Sequence, residues 1–302
     1  MLLDRALCYR ALQTRDARFD GRFFVAVRTT GIYCRPICPA RTPKLENVEF
    51  HPSAASAQEA GFRPCLRCRP ECSPALGPPD TSRSVKRALA LIDEGALEAG
   101  DVEALAARLG LGARQLRRLF REHLGASPLA VAQTRRVLLA KQLLHETRMP
   151  MADVAFAAGF GSVRRFNEKF RALYGRPPSA LRRERPSGAK PTTVIRLTLG
   201  YAAPYDWDAM VEFLAARATP GVEVVTPERY WRSISLHGSV GTLAVEPVPG
   251  RAALAALIDF PDLRALPSIL TRVRSLFDLE SDVGAIEEQL ALDPFLAPLV
   301  AA

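Results

Sequence analysis

Residues 28–70 read RTTGIYCRPICPARTPKLENVEFHPSAASAQEAGFRPCLRCRP and contain Cys34, Cys38, Cys65 and Cys68, four of the six cysteines in the chain. The four are spaced as C-x3-C, a long loop and C-x2-C. Each close pair can span one edge of a tetrahedron, and the loop can bring the two pairs together, as a tetrahedral zinc ion requires. The stretch therefore predicts a Zn2+ site of four thiolates within a small α/β domain.

Disulfide bonds are the alternative use of such cysteines. Residues 1–12 (MLLDRALCYRAL) carry three charges and no apolar run, so they do not resemble a signal peptide. A reducing, cytoplasmic location is therefore expected, and it favours zinc over disulfides. Spacing alone leaves open a purely structural zinc knuckle that stabilises a domain with a small core. No apolar run approaches the length of a membrane span, so no membrane partner is expected.

The sequence around the cysteines carries more information than their spacing. The runs RTTGIYCRPIC, PAR, ENVEF and AGFRPCLRC closely resemble the N-terminal domain of the Ada family of bacterial methylation-damage sensors. The resemblance covers about the first quarter of the chain. It implies that all four cysteines bind zinc and that Cys34 accepts a methyl group from a methylphosphotriester in DNA.

The chemistry of a metal-bound sulfur is compatible with this role. A zinc-bound cysteine stays a nucleophilic thiolate at neutral pH, and attack on the methyl carbon releases a phosphodiester in one step. The thioether cannot revert, so the protein is expected to act once. Methylation would reduce the charge of the site from about −2 to about −1 and strengthen binding to DNA phosphates. Arg35, Arg41 and Lys44 are the expected phosphate contacts beside the site.

The distribution of charge indicates where DNA would bind. Residues 1–79 hold 12 basic and 7 acidic side chains (+5), residues 80–190 hold 21 and 11 (+10), and residues 191–302 hold 8 and 14 (−6). The net charge of +9 thus comes from the first two segments. These segments are expected to contact nucleic acid, and the acidic third segment is not.

Residues 81–185 have helical periodicity and contain two units of helix, glycine turn and basic helix. The first unit spans DVEALAARLG and ARQLRRLFREHLG, the second spans MADVAFAAGF and GSVRRFNEKFRALYG, and a long helix over residues 128–146 joins them. This pattern predicts two helix-turn-helix units whose recognition helices enter successive major-groove turns about 34 Å apart. The L-x-R-x-F pattern, ADVAFAAGF and GRPPSALRR resemble the AraC family of DNA-binding domains.

The outward side chains of the two basic helices are the candidate DNA contacts. A basic helix can also be an ordinary solvated face, but two copies in a segment of charge +10 favour DNA. The outward side chains nearest the helix N-termini are expected to contact base edges, and those farther along the helix are expected to contact phosphates or form ion pairs. The first group is Arg114, Gln115, Arg164 and Arg165, and the second is Arg118 and Arg121; Ser162, on the second basic helix, is a further candidate DNA contact.

The last third predicts a strand, a helix, three strands and a helix, and hence a curved antiparallel sheet backed by helices. The runs APYDWDAMVEFLAARATPGVE, YWRSISL and RVRSLFDLESD resemble the N-terminal domain of AlkA-type 3-methyladenine DNA glycosylases. In that family the catalytic aspartate belongs to a later helix-hairpin-helix domain, and no L-P-G-x-G hairpin occurs here. Asp278, Asp282 and Asp293 are therefore expected to be surface or helix-end residues.

These patterns together predict a multidomain α+β protein. The expected domains are a small α/β zinc domain (1–78), an all-α double helix-turn-helix domain (79–186) and an α+β domain (192–302), with linkers at 73–79 and 182–191. The expected function is single-turnover repair of methylphosphotriesters by Cys34, followed by promoter binding and recruitment of RNA polymerase. Two alternatives are open: a piece of a regulator–glycosylase fusion whose missing domain excises bases, and a zinc-stabilised AraC-type transcription factor without methyl transfer.

Overall fold

The computed structural model describes residues 4–74, 81–97, 101–182 and 194–300. The predicted linkers at 73–79 and 182–191 fall almost entirely outside these residues. Within the described ranges, no helix combines the length and the apolar character needed to cross a membrane. The multidomain α+β class predicted from the sequence is confirmed.

The first domain is a four-stranded sheet with the order β3-β1-β2-β4 and two helices. Strand β1 pairs with β2 and β3 in antiparallel fashion, and β2 pairs with β4 in parallel. Strands β2 and β4 were not predicted, because three-residue and two-residue strands are too short to show alternation. The elements are α1 (Arg5–Thr14), β1 (Phe24–Val27), β2 (Ile32–Cys34), β3 (Val48–His51), α2 (Ala54–Glu59) and β4 (Arg63–Pro64).

Alternation along β1 divides its side chains between two apolar clusters. Phe23 and Val25 lie in a cluster with Cys8, and Phe24 and Ala26 lie in another with Tyr33. This is the period of two that a sheet covered on both faces requires. Cys8 is buried, as the apolar pattern of the first helix predicts. The sheet is thereby held rigidly where its β2 and β4 edge carries the cysteines.

Six α-helices lie within the described residues 81–97 and 101–182. Ser82, Asp101, Ser127 and Ser162 each accept a backbone N–H at the start of a helix, which fixes the helix boundaries. The long connecting helix has the predicted bounds. The helices are α3 (Arg83–Asp93), α4 (Val102–Arg108), α5 (Ala113–Leu124), α6 (Pro128–Glu146), α7 (Met151–Ala157) and α8 (Val163–Tyr174).

The last part of the described chain is an antiparallel five-stranded sheet with the order β5-β9-β8-β7-β6. Four strands and two helices were predicted; the short strand β6 and the last two helices were not. The strands are β5 (Ile195–Gly200), β6 (Glu223–Thr226), β7 (Arg229–Leu236), β8 (Ser239–Pro247) and β9 (Ala253–Asp259). The helices are α9 (Trp207–Ala215), α10 (Leu266–Leu276), α11 (Val283–Leu290) and α12 (Ala297–Val300).

The apolar core of the second helix-turn-helix unit continues into the third domain. One cluster of buried side chains contains Leu144 of α6, Val154 of α7, Phe166 of α8, Leu197 of β5 and Ile269 of α10. The first helix-turn-helix unit has a separate cluster. The third domain is therefore packed against the second helix-turn-helix unit through a shared core.

Candidate metal centre and nucleic-acid interface

The four cysteines of the predicted zinc site converge in the structure. Their sulfur atoms all lie within 4.8 Å of one another. Cys34 ends β2, and Cys65 follows β4, which lies beside β2 in parallel register with Tyr33 opposite Pro64. The sheet therefore places one cysteine of each pair side by side, and the short loops after the strands supply the other two.

Cys34 differs from the other three cysteines in its surroundings. Its side chain is partly exposed, whereas Cys38, Cys65 and Cys68 are only 5 to 8% exposed. The backbone N–H of Arg35 donates to Cys68 Sγ at 3.3 Å, and that of Arg67 donates to Cys65 Sγ at 3.3 Å. Hydrogen bonds that stabilise a thiolate also reduce its nucleophilicity. Cys34 is thus the most accessible of the four cysteines, and neither of these two amide donors contacts its sulfur.

The titration of the four thiols is strongly coupled. Hydrogen bonds with Cys38, Cys65 and Cys68 raise the pKa of Cys34, and hydrogen bonds with Cys34, Cys38 and Cys68 lower the pKa of Cys65. Four sulfur atoms this close cannot all carry a negative charge unless a cation neutralises them. The donor set and its closed, mostly buried arrangement fit tetrahedral zinc.

Arg35 lies beside the cysteines but points into the domain. Its Nε donates to Asp20 Oδ1 at 2.8 Å, a second guanidinium nitrogen pairs with the same carboxylate, and Nη1 donates to the Cys68 carbonyl at 3.3 Å. Only 15% of the side chain is exposed. Asp20 thus occupies the guanidinium in this structure, and contact of Arg35 with a phosphate stays a prediction. Arg35 holds the loop that carries Cys34 and Cys38 against the loop that carries Cys68.

The other two predicted phosphate contacts are on the surface. Arg41 is exposed, and exposed Lys44 lies 3.7 Å from Glu46 in a solvated pair that phosphate could replace. Arg67 was not singled out from the sequence, although its side chain is exposed and its amide contacts Cys65. The position of Arg67 between Cys65 and Cys68 could have indicated this candidate, because it places a cation next to the metal site.

The candidate DNA contacts of the first unit lie on the outer face of α5. Arg114, Gln115 and Arg118 are exposed in the first turns of the helix. Arg121 differs, because it pairs with Glu59 of the first domain at 2.6 Å. An ion pair is one of the two roles expected for Arg121 from the sequence. In this structure the pair joins α5 to α2.

The candidate contacts of the second unit lie at the start of α8. Ser162 is the N-cap and accepts the Arg165 N–H at 3.3 Å, so its hydroxyl is used within the helix. Arg165 is exposed, and exposed Arg164 pairs with Glu168 one turn later at 2.8 Å. Such a surface pair contributes little, and its guanidinium can turn to DNA. Contact of these side chains with DNA stays a prediction.

A buried ionic network connects the cysteine loop to α6. Glu71, three residues after Cys68, pairs with Lys141, and both side chains are at most 1% exposed. Arg69 Nε donates to Glu71 at 3.1 Å, and its other end pairs with Glu146. Burial alone would raise the pKa of Glu71, but Lys141, His145 and Arg69 outweigh it and lower the pKa to about 2. No sequence pattern indicated this network, because its partners are about 70 positions apart.

Three segments of the chain match known families. Residues 7–71 match the metal binding domain of Ada, residues 105–184 match a helix-turn-helix domain, and residues 196–302 match the AlkA N-terminal domain. The first match includes all four clustered cysteines, and the prediction of a zinc site is thereby confirmed.

Three relatives carry names that describe two activities. The chain is 43% identical over 300 residues to a probable bifunctional transcriptional activator/DNA repair enzyme AlkA of Mycobacterium tuberculosis, covering 97% of this chain and 60% of that protein. It is 33% identical to the bifunctional transcriptional activator/DNA repair enzyme AdaA of Bacillus subtilis, covering 58% and 81%. It is 38% identical to the Escherichia coli enzyme Ada, covering 45% and 37%. The chain thus spans about 60% of the mycobacterial relative's length.

Proposed function

The chain belongs to the Ada family of bifunctional transcriptional activator/DNA repair proteins, and on this basis we propose that it repairs methylphosphotriesters in DNA by methylating its own Cys34. The methylated protein then binds promoter DNA and activates transcription. The observation that carries the choice of acceptor is the contrast between partly exposed Cys34 and its three buried neighbours. The six cysteines, all of them among the described residues, form no disulfide bond, so the thiolates that this chemistry needs are not tied up in one.

The proposed reaction is a direct displacement at carbon. A bound zinc ion would keep the sulfurs as thiolates at neutral pH. Cys34 Sγ forms a bond to the methyl carbon, the bond between that carbon and the ester oxygen breaks, and the phosphodiester leaves with the electron pair. The Arg35–Asp20 pair and the backbone donors to Cys65 and Cys68 fix the sulfur positions during the attack. The thioether has no route back to a thiol, so each molecule reacts once.

The charge change at Cys34 is the proposed switch. Methylation removes one negative charge from a cluster that faces the DNA backbone, which lowers the repulsion from nearby phosphates. Arg41 and Arg67 are exposed and lie near the cysteines in the sequence, so they can attract DNA phosphates. Before methylation, the negative charge of the cysteine cluster offsets part of this attraction. The methylated protein should therefore bind DNA more tightly, most clearly at low salt.

The paired helix-turn-helix units supply the promoter contacts. Helices α5 and α8 both present basic, exposed N-terminal turns, and α6 connects the two units. In this arrangement each recognition helix enters one major-groove turn. Recruitment of RNA polymerase by the bound protein is the remaining step of the proposal.

Base excision is not part of the proposed function of these 302 residues. Asp282 caps α11 and pairs with Arg22, Asp278 accepts a hydrogen bond from Ser281 at 2.5 Å, and Asp293 accepts one from the Phe295 amide at 2.8 Å. These carboxylates thus have structural partners at helix ends. We expect the purified chain to release no 3-methyladenine from alkylated duplex DNA, and measurable release would contradict this part of the proposal.

The proposed function is tested by mass spectrometry of the zinc-loaded protein after incubation with duplex DNA carrying methylphosphotriesters. One added methyl group on the Cys34 peptide is the expected result, with an equal loss of triesters from the DNA. An unmodified protein with zinc bound, in the presence of intact triesters, would reject methyl transfer and leave a zinc-stabilised transcription factor.

Replacement of Arg114 by alanine should weaken binding to the protein's preferred duplex. If Arg114 reads a base edge, the loss is about 1–3 kcal/mol and discrimination at one position falls. Arg87→Ala is the matched control, because Arg87 is also an exposed arginine but lies on α3, outside both helix-turn-helix units. Equal binding by the two variants, measured by fluorescence anisotropy at several salt concentrations, would exclude Arg114 from the interface.

A further inference from the structure

Strand β5 of the third domain lies along the end of helix α6. The Thr198 N–H donates to Glu146 Oε2 at 2.8 Å, and Gln142 Nε2 donates to the Thr198 carbonyl at 2.8 Å. Gln142 also donates to Glu146 Oε2 at 3.1 Å. Because β5 is an edge strand, its outer backbone groups need partners, and two side chains of α6 supply them.

The same carboxylate reaches the cysteine loop. Glu146 Oε1 pairs with Arg69, the residue after Cys68, and Glu146 is 8% exposed. One buried side chain therefore contacts the first domain, the helix between the DNA-reading units and the third domain. Thr198 is held to the cysteine loop through two successive polar contacts.

Two further contacts join the third domain directly to the first. Gly200, the last residue of β5, packs so tightly on the Cys72 carbonyl that a Cβ atom would overlap it. Arg22 pairs with Asp282 on the other side of the interface, and both side chains are less than a third exposed. The polypeptide segment from Cys68 to Cys72 is thus enclosed between α6 and β5.

We propose that the third domain is an intramolecular clamp that fixes the methyl-acceptor domain to helix α6. The proposal rests on the proposed function, since it assigns the clamp a role in DNA binding by the methylated protein. With β5 in place, the cysteine loop and the two recognition helices meet DNA as one rigid body. Without it, the first domain is joined to α5 and α6 by fewer contacts and by a linker.

Rigid connection has a known thermodynamic effect. Two DNA-contacting surfaces that are fixed in a compatible orientation bind as one, because the second contact costs little further entropy. When the connection is loosened, the effective concentration of the second surface falls and affinity falls with it. The clamp thus gives the acidic third domain a role in DNA affinity without any contact to DNA.

Gly200→Ala tests the clamp by inserting one methyl group at the interface. The three atoms nearest to the added Cβ all belong to Cys72 and Pro74, and Gly200 does not have a positive φ, so the sheet itself should accept alanine. Gly284→Ala in α11 is the control, because its added Cβ meets nothing closer than 3.8 Å. Both variants of the 302-residue chain are methylated at Cys34 with triester-containing DNA before measurement.

Two measurements are made on each methylated protein. Hydrogen exchange at the Thr198 amide should be at least about tenfold faster in Gly200→Ala than in Gly284→Ala, since its acceptor Glu146 is displaced. Affinity for a duplex of about 40 base pairs, which offers successive major-groove turns, should fall by about tenfold in Gly200→Ala alone. Arg22→Ala removes the ion pair with Asp282 and should change the exchange rate and the DNA affinity in the same directions, but by less. This variant replaces Gly200→Ala if the Gly200→Ala protein does not fold.

The outcomes separate the clamp from the proposed function. Faster exchange together with weaker DNA binding supports the clamp. Equal affinities for the loosened and control proteins overturn it, whether or not exchange changes. If no protein takes up a methyl group, wild type included, the proposed function is rejected. The clamp can still be tested on the unmethylated proteins, and it is rejected if the Thr198 amide exchanges at the same rate in Gly200→Ala and Gly284→Ala.

Discussion

Cys34→Ser is expected to lose methyl transfer completely while the rest of the protein stays folded. A serine hydroxyl remains protonated at neutral pH and is a far weaker nucleophile toward a methyl carbon than a thiolate. The three other cysteines of the cluster are at most 8% exposed, and Cys65 and Cys68 already accept backbone hydrogen bonds. They should not replace Cys34. The measurement is the mass of the intact protein and of each cysteine peptide after exposure to triester-containing DNA.

Cys72→Ser is the matched control for this loss. Cys72 lies four residues after Cys68 but outside the sulfur cluster, and burial raises its pKa to about 12, so it stays a thiol. The control should take up one methyl group at the wild-type rate. A methyl group on Cys38, Cys65 or Cys68 of the Cys34→Ser protein would show that the choice of acceptor is wrong.

The features that could be predicted from the sequence are those with a local cause. The bounds of α6, the serine and aspartate caps of the helices and the two glycine turns depend on residues within a few positions of one another. The spacing of the two cysteine pairs likewise was sufficient to predict that four sulfur atoms converge at one site. Strands β2, β4 and β6 were missed because pairing with neighbours, and not their own short sequences, makes them strands.

The candidate site was predictable in its members but not in their environment. The sequence could not distinguish Cys34 from Cys38, Cys65 and Cys68 without the family resemblance, because exposure and amide donors are properties of the folded loops. Nothing local in the sequence indicated either that Arg35 would pair with Asp20, 15 positions earlier. When two charged residues are far apart in the sequence, tertiary packing alone determines whether they form an ion pair.

Lys141→Met is expected to lower the free energy of unfolding by about 3–5 kcal/mol, the cost of leaving one member of a buried ion pair without its partner. Lys141 is fully buried, and its ammonium group pairs with Glu71, which is 1% exposed. Methionine fills nearly the same volume, so most of the loss should come from the buried Glu71 carboxylate, which keeps its contact with Arg69 but loses the ammonium group of Lys141. Urea denaturation followed by circular dichroism, with Lys86→Met on exposed α3 surface as the control, measures the change.

The double variant Glu71→Gln/Lys141→Met should recover much of the lost stability, because a buried pair replaced by neutral groups leaves no unpaired charge. The pH dependence provides a second readout. The pKa of Glu71 in the folded protein is about 2, below its ordinary value of 4.5, so its ionisation stabilises the fold above about pH 4.5 and this contribution disappears as the pH falls toward 2. The double variant should lack this acid-sensitive part. If Lys141→Met instead unfolds at the control's urea concentration, the Glu71–Lys141 contact does not hold the cysteine loop to α6.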